Sequence, residues 1–289
     1  MDCRRVVTLA SFGVALVCFV LARAGRRAAD VPLSPLIAGR YVGADWVERA
    51  GVGTDERPVG EMDDFTRLAR PDFDPGRVDD EVRRFYERTS EYDLQYRVRW
   101  ERGFRLGAAL ATRLTSRIEQ LNLPAPGEHG ETGLPESETG GRWRRLRSRF
   151  VGVDPAADPR EEARVWTRTD PDTDEAVFVA VYGAHDRDGE RFVNIAVPLP
   201  GTNLSTVLRV EHDDRPGGVR LTTSGNGRDD DPGLYLLTPA GAVSLPMEQR
   251  FRVWPTGKGV TESLRATHEM WLLGRRFLAV EYRIDRRAE

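Results

Sequence analysis

The feature that most constrains the fold is an alternation of apolar and polar residues, with a period of two, that runs from Ala163 to Arg286. Successive side chains of a β-strand point to opposite faces, so this alternation predicts half-buried strands. Turn-forming pairs such as Asp188-Gly189 and Asn226-Gly227 interrupt the pattern. The intervals between turns define nine strands, at 163–169, 176–185, 190–199, 204–212, 218–223, 233–238, 242–254, 260–273 and 276–286.

The links between these strands are short and contain no helical stretch, which predicts antiparallel pairing of sequential strands as a meander. About nine such strands leave two open edges unless the sheet curls or closes. The expected fold is α+β and β-dominated. An N-terminal membrane helix precedes two helices and a strand, which pack on a curved antiparallel sheet or a barrel. In strand number and pattern the barrel resembles that of lipocalins, with no matching sequence motif, and this resemblance implies a fold but no activity.

The residues before the strand-rich region supply the helical part of the fold, over 76–123. Asp74-Pro75 is typical of a helix start, because Asp caps helices and Pro suits the first turn. A strand is predicted over 92–100 and a second helix over 104–121. Pro, Gly, Glu, Ser and Thr dominate 124–141, which predicts a mobile loop before the β part at 142–287. Residues 76–289 are thus expected to form a single domain.

The N-terminal segment 1–29 contains an apolar run of 17 residues, Val6 to Ala22, with arginines on both sides. This length is the lower limit for a membrane-spanning helix. A cleaved signal peptide is the alternative, although an arginine interrupts the small-residue cleavage site around Ala24. We therefore expect a single-pass anchor that gives the chain a lipid membrane as a partner, followed by a tether at 30–75. The flanking charges nearly balance, so the side of the membrane stays open, with an extracytoplasmic domain preferred.

Charge and cysteine content exclude several classes of function. The chain carries 43 basic and 46 acidic residues, for a net charge of −3. A nucleic-acid-binding protein needs a strong cationic surface, so no nucleic-acid partner is expected. The two cysteines, Cys3 and Cys18, both lie in the N-terminal segment. The predicted domain therefore has no disulfide and no thiolate ligand or nucleophile.

The alternation also predicts which side chains face the interior of the sheet. Three predicted strands, at 242–254, 260–273 and 276–286, carry a few polar residues on otherwise apolar faces. A mostly apolar wall with a few orienting polar groups is typical of a cavity for small molecules. The expected ligand is an apolar or amphiphilic small molecule, for example a lipid. The predicted ligand-binding residues are His268, Gln249, Tyr282, Glu262, Phe251 and Met270.

Histidines give two further hypotheses. His268 is either a buried structural histidine satisfied by one neighbour, or a ligand contact or general base. The second alternative defines a cofactor-free hydrolase or isomerase. His185 and His212 stand beside turns, which predicts solvated side chains. No histidine falls in a zinc-binding pattern, and no metal or cofactor is expected.

A run of arginines interleaved with Trp143, Leu146 and Phe150 precedes the long alternating region. Such a run is typical of contact with anionic lipids or nucleic acid, but like-charge runs are more often surface features, here an edge strand with alternating arginines or a solvated helix. It defines a third hypothesis, a scaffold at the membrane surface. The predicted interaction surface is Arg142, Arg144, Arg145, Arg147 and Arg149.

Searches for catalytic motifs give no nucleophile elbow, phosphate-binding loop or dinucleotide fingerprint. The sequence therefore favours a membrane-anchored, non-catalytic binding module over the enzyme and the scaffold. Oligomeric state and the identity of the ligand stay open.

Overall fold

The computed structural model describes residues 30–39, 42–101, 142–225, 231–256 and 263–287, in which strands predominate. The β-dominated fold predicted from the alternation is confirmed. The strands are β1 (Tyr92–Trp100), β2 (Arg144–Gly152), β3 (Glu161–Thr169), β4 (Ala176–Arg187), β5 (Glu190–Leu199), β6 (Thr202–His212), β7 (Val219–Thr222), β8 (Gly233–Thr238), β9 (Gly241–Leu245), β10 (Met247–Pro255), β11 (Ser263–Leu272) and β12 (Arg275–Arg286).

Ten of these strands close into an antiparallel barrel in the order β5-β4-β3-β2-β1-β12-β11-β10-β7-β6, and β6 pairs back with β5. Strand β6 closes the ring because residues 202–208 pair with β5 and residues 209–212 pair with β7. Residues 203–207 also pair with β8. The hairpin of β8 and β9 therefore lies beside the wall of the barrel and is not part of the ring.

The barrel has more strands than the nine predicted from the alternation. Strands β1 and β2 join the ring, whereas the predicted strand 233–238, which is β8, does not. The predicted strand 242–254 is two strands separated at Pro246, and of these only β10 belongs to the ring. Proline has no backbone N–H and cannot continue a ladder, so the pairing changes there. Val243 and Leu245 consequently belong to the β8–β9 hairpin, away from the wall that holds Phe251.

The helices are short. They are α1 (Trp46–Ala50) and α2 (Asp80–Glu87), with 3-10 turns at Phe65–Leu68, Pro75–Arg77 and Thr89–Glu91. Asp74 accepts a hydrogen bond from the Gly76 amide at 2.8 Å but begins only a 3-10 turn. Asp79 caps α2 instead, through the Glu81 amide at 3.0 Å. No helix among the described residues is both long and apolar enough to cross a membrane. The predicted anchor at 1–29, helix at 104–121 and loop at 124–141 lie outside the described residues.

Residues 59–91, called the plug below, cover one end of the barrel. Phe65, Val82 and Phe85 are 0%, 0% and 4% exposed and belong to the same core cluster as the inward side chains of the strands. The Asp79 amide donates to the Gly217 carbonyl, just before β7, at 3.0 Å. The tether predicted for 30–75 does not describe this packing, because much of that segment is built into the core.

Residues 30–38, called the strap below, run along the outside of the barrel. The Ser34 hydroxyl donates to Asp158 at 2.6 Å, and the Asn203 side chain donates to the Leu36 carbonyl at 2.7 Å. Asp158 also forms an ion pair with Arg160 at 2.7 Å, and these two side chains are 0% and 2% exposed. Together these bonds fix the strap to the barrel wall.

Candidate functional site

The interior of the barrel, directly beneath the plug, contains a cavity of about 60 Å³. This volume holds several water molecules or a small chemical group. Apolar side chains from the strands form most of its wall. Several polar residues lie among them, namely Arg168, Tyr182, Arg252, Thr267 and Tyr282 from the strands and Glu61 and Tyr86 from the plug.

Four of the predicted ligand-binding residues lie on β10 and β11, and Tyr282 lies on β12. Phe251 and Tyr282 line the cavity. His268 stacks on Phe251, with ring centroids 3.7 Å apart, and its Nε2 lies 3.2 Å from Gln249 Oε1. Met270 packs against the core farther along β11. Glu262 lies outside the described residues.

The surroundings of His268 keep its ring neutral. Burial, and secondly the charge of Arg168, lower its pKa to about 3. A base with so low a pKa removes protons weakly near neutral pH. Its ring nitrogen contacts the amide oxygen of Gln249, which matches the structural alternative better than the catalytic one.

Several polar residues of the cavity are not among the predicted ligand-binding residues, and Arg168 and Glu61 are two of them. Arg168 shares an inward face with Trp166 on β3, and this alternation was visible in the predicted strand 163–169. Glu61 gave no such signal, because it lies in an irregular part of the plug. The Glu61 amide donates to the Tyr86 carbonyl at 2.8 Å, and this bond fixes its backbone beside α2.

Arg168 is held firmly in the wall of the cavity. Its side chain is enclosed between the rings of Trp166 and Phe178, with its guanidinium carbon 4.0 and 4.2 Å from the two ring centroids. Its Nη2 donates to the Tyr182 hydroxyl at 3.2 Å. Its Nε is buried and has no hydrogen-bond partner among the described residues. Stacking and this hydrogen bond leave part of its donor capacity unused.

Glu61 faces the same space. Burial raises its pKa to about 7, and the nearby Arg168 and Arg164 only partly oppose this rise. Glu61 is partly exposed and is one of the residues that line the cavity. Near neutral pH it is therefore present in both protonation states.

Replacing Glu61 with glutamine is expected to remove a pH dependence of stability. In the folded state the pKa of Glu61 lies above the usual 4.5. The protonated carboxyl therefore contributes its full stabilisation of the fold below pH 4.5, and this stabilisation is lost as pH rises through about 7. At about 1.4 kcal/mol per pKa unit, the loss amounts to about 3 kcal/mol. The wild type should thus lose about 2.5 kcal/mol relative to E61Q between about pH 5 and about pH 8 in urea unfolding.

The other titratable groups around Glu61 do not change charge in that range. Arg164 and Arg168 stay cationic, and burial raises the pKa values of Tyr86, Tyr182 and Tyr282. The control is E161Q, whose carboxylate is 50% exposed at the barrel end. Parallel pH profiles for the wild type and E61Q would contradict the assignment.

His185 is not a solvated turn residue, and that prediction is wrong. It is 6% exposed, and its Nε2 lies 2.6 Å from a carboxylate oxygen of Asp231. The strap covers this position, since Asn194, which contacts the other ring nitrogen, donates to the Pro32 carbonyl at 2.8 Å. Burial by a distant segment cannot be read from the local sequence.

The arginine run forms most of β2, which pairs on both sides within the barrel wall and is not an edge strand. Three of its exposed side chains approach carboxylates. Arg145 lies 4.0 Å from Asp172, Arg147 lies 2.7 Å from Asp174 and Arg149 lies 2.6 Å from Glu48. Arg142 precedes β2, and Arg144 is the first residue of this strand. Much of the positive charge of this predicted surface is therefore locally neutralised.

Within the described ranges, no group of three or more His, Cys, Asp or Glu side chains is placed to hold a metal ion.

No protein-family model matches the chain, and no solved structure matches it. Over 252 residues the chain is 31% identical to the "Uncharacterized membrane protein YndJ" of Bacillus subtilis (strain 168). The aligned region covers 87% of this chain and 42% of that protein. The chain thus spans less than half the length of this relative, to which it is similar along most of its own length.

Proposed function

We propose that this chain is a membrane-associated, non-catalytic protein whose barrel binds an apolar or amphiphilic small molecule, for example a lipid. The observation that carries the proposal is the cavity beneath the plug, with its apolar wall and few polar groups. Small-molecule sites in proteins have this composition, and barrel interiors are a common place for them.

The ligand enters from the end of the barrel opposite the plug. Partly buried apolar side chains concentrate toward that end, which indicates a less tightly sealed core there. Trp100 ends β1, Leu199 ends β5 and Met270 lies near the end of β11. These residues provide an apolar path to Phe251, deeper in the barrel.

Two observations support the membrane association. The segment 1–29 has the length and flanking charges of a single-pass anchor, and the relative from Bacillus subtilis is named a membrane protein. The strap begins immediately after this segment and is bonded to the barrel, so an anchor would hold the barrel close to the bilayer. The proposed location of the barrel is extracytoplasmic.

Native mass spectrometry of the full chain, purified from a lipid-containing host, tests the proposal. A stoichiometric adduct that is released on denaturation is expected, and its mass identifies the ligand class. A protein that carries no adduct and takes up none from a mixture of fatty acids and phospholipids would contradict the proposal.

Phe251→Trp is expected to reduce ligand occupancy at least about ten-fold, because the larger ring fills a cavity that has little spare volume. The matched control is Leu273→Trp, at a side chain that is 76% exposed. Native mass spectrometry measures occupancy, and circular dichroism verifies the fold. Unchanged occupancy in a folded Phe251→Trp variant would exclude this cavity as the site.

The other hypotheses have less support. The enzyme alternative depends on His268, whose low pKa and amide partner give it little basicity. The scaffold alternative depends on the arginine run, whose exposed members are largely ion-paired.

A further inference from the structure

The cavity contains a cation, Arg168, that no described carboxylate pairs with, although Glu61 lines the same space. Arg168 is 8% exposed and forms no ion pair with any described residue. A buried charge is normally paired, because loss of hydration is expensive when nothing compensates it. Its remaining compensation comes from two aromatic rings and one phenol.

Further unpartnered polar atoms lie next to it. Ser148 on β2 is paired in register with Arg168, and Phe150 with Trp166, so these side chains are neighbours on the inner wall. Arg168 Nε, Trp166 Nε1 and Ser148 Oγ are all buried and have no hydrogen-bond partner within the described parts of the chain. All three can donate a hydrogen bond, and two of them can only donate. Native proteins rarely leave such a group of donors unsatisfied.

We propose that Arg168, with Trp166 and Ser148 beside it, binds the carboxylate of an amphiphilic monoanion whose apolar part lies along the barrel wall. This inference rests on the proposed function and specifies the class of ligand. A guanidinium matches the two oxygens of a carboxylate in a bidentate arrangement.

Charge and size favour a carboxylate over a larger anion. A carboxylate brings one negative charge, which the guanidinium of Arg168 balances, whereas a phosphate dianion would bring a second charge into a cavity that Glu61 also lines. The cavity volume of about 60 Å³ suits a group of a few atoms. Phe251, Ile195 and Leu221 supply apolar wall for the attached chain.

The test is isothermal titration calorimetry of the full chain, in a detergent with an uncharged head group, with hexanoate, hexanol and hexyl phosphate. Hexanoate is expected to bind at least about ten-fold more tightly than hexanol. Arg168→Met should lower the affinity for hexanoate by about 10- to 100-fold and leave that for hexanol unchanged. Arg168→Lys keeps the positive charge but lacks the paired N–H donors of the guanidinium, and it should give an intermediate loss of affinity for hexanoate.

The matched control is Arg147→Met, on the exposed outer face of β2, where the guanidinium pairs with Asp174. This variant should bind all three probes as the wild type does. Equal binding of hexanoate and hexanol by the wild type would overturn the carboxylate site and leave the proposed function standing. Tighter binding of hexyl phosphate would overturn the assignment to a carboxylate. No binding of any probe would count against the proposed function itself.

Discussion

Replacing Asp158 with alanine is expected to lower the free energy of unfolding by about 3–5 kcal/mol. The variant leaves the buried guanidinium of Arg160 without its carboxylate, whose bond at 2.7 Å lies in an almost fully buried environment. It also removes the acceptor of the Ser34 hydroxyl and so weakens the attachment of the strap. Urea unfolding followed by circular dichroism measures the change.

Asp45→Ala serves as the control for Asp158→Ala. Asp45 pairs with Arg49 at 2.6 Å, but the two side chains are 50% and 64% exposed. Exposed pairs contribute little, so a change within about 1 kcal/mol is expected. Similar losses in both variants would mean that burial of the Asp158 pair has no special importance.

Phe65→Ala is expected to destabilise the protein by about 3–5 kcal/mol, because it removes a fully buried ring from the plug. The ring packs against Tyr86, with centroids 5.5 Å apart, and against Phe73. The same urea experiment measures the effect. A free tether over 30–75 would instead tolerate the substitution.

Val59→Ala is the matched control within the plug, since Val59 is 47% exposed. Substitutions at such positions usually change stability by less than about 0.5 kcal/mol. If Phe65→Ala were as mild as Val59→Ala, the plug would not be part of the cooperative core.

Most of the wall of the barrel could be predicted from the sequence. Period-two alternation is a local property, so the strands at 190–199 and 233–238 have the predicted bounds. The break at Pro246 was missed because apolar and polar residues go on alternating across it, whereas the hydrogen-bonded strand pairing ends there. The role of β1 and β2 in closing the ring depends on pairing between distant segments, such as Tyr96 with Tyr282.

The candidate site could be predicted only in part. Strand parity predicts the inward face of Phe251 and Tyr282, and both residues line the cavity. Arg168 shares the inward face of Trp166, but nothing local indicates that its charge stays unpaired. Glu61 reaches the cavity only because the plug packs onto the barrel, and the plug has no regular period to reveal it.

The sequence by itself determined the β-dominated class, the antiparallel pairing of neighbouring strands and the inward faces of β10 to β12, because these follow from residue alternation and turn chemistry. Only the tertiary structure decided the number of strands in the ring, the burial of His185 under the strap and the presence of Glu61 and Arg168 in one cavity. Each of these depends on which distant segments of the chain are buried against one another, and no local pattern of residues specifies that.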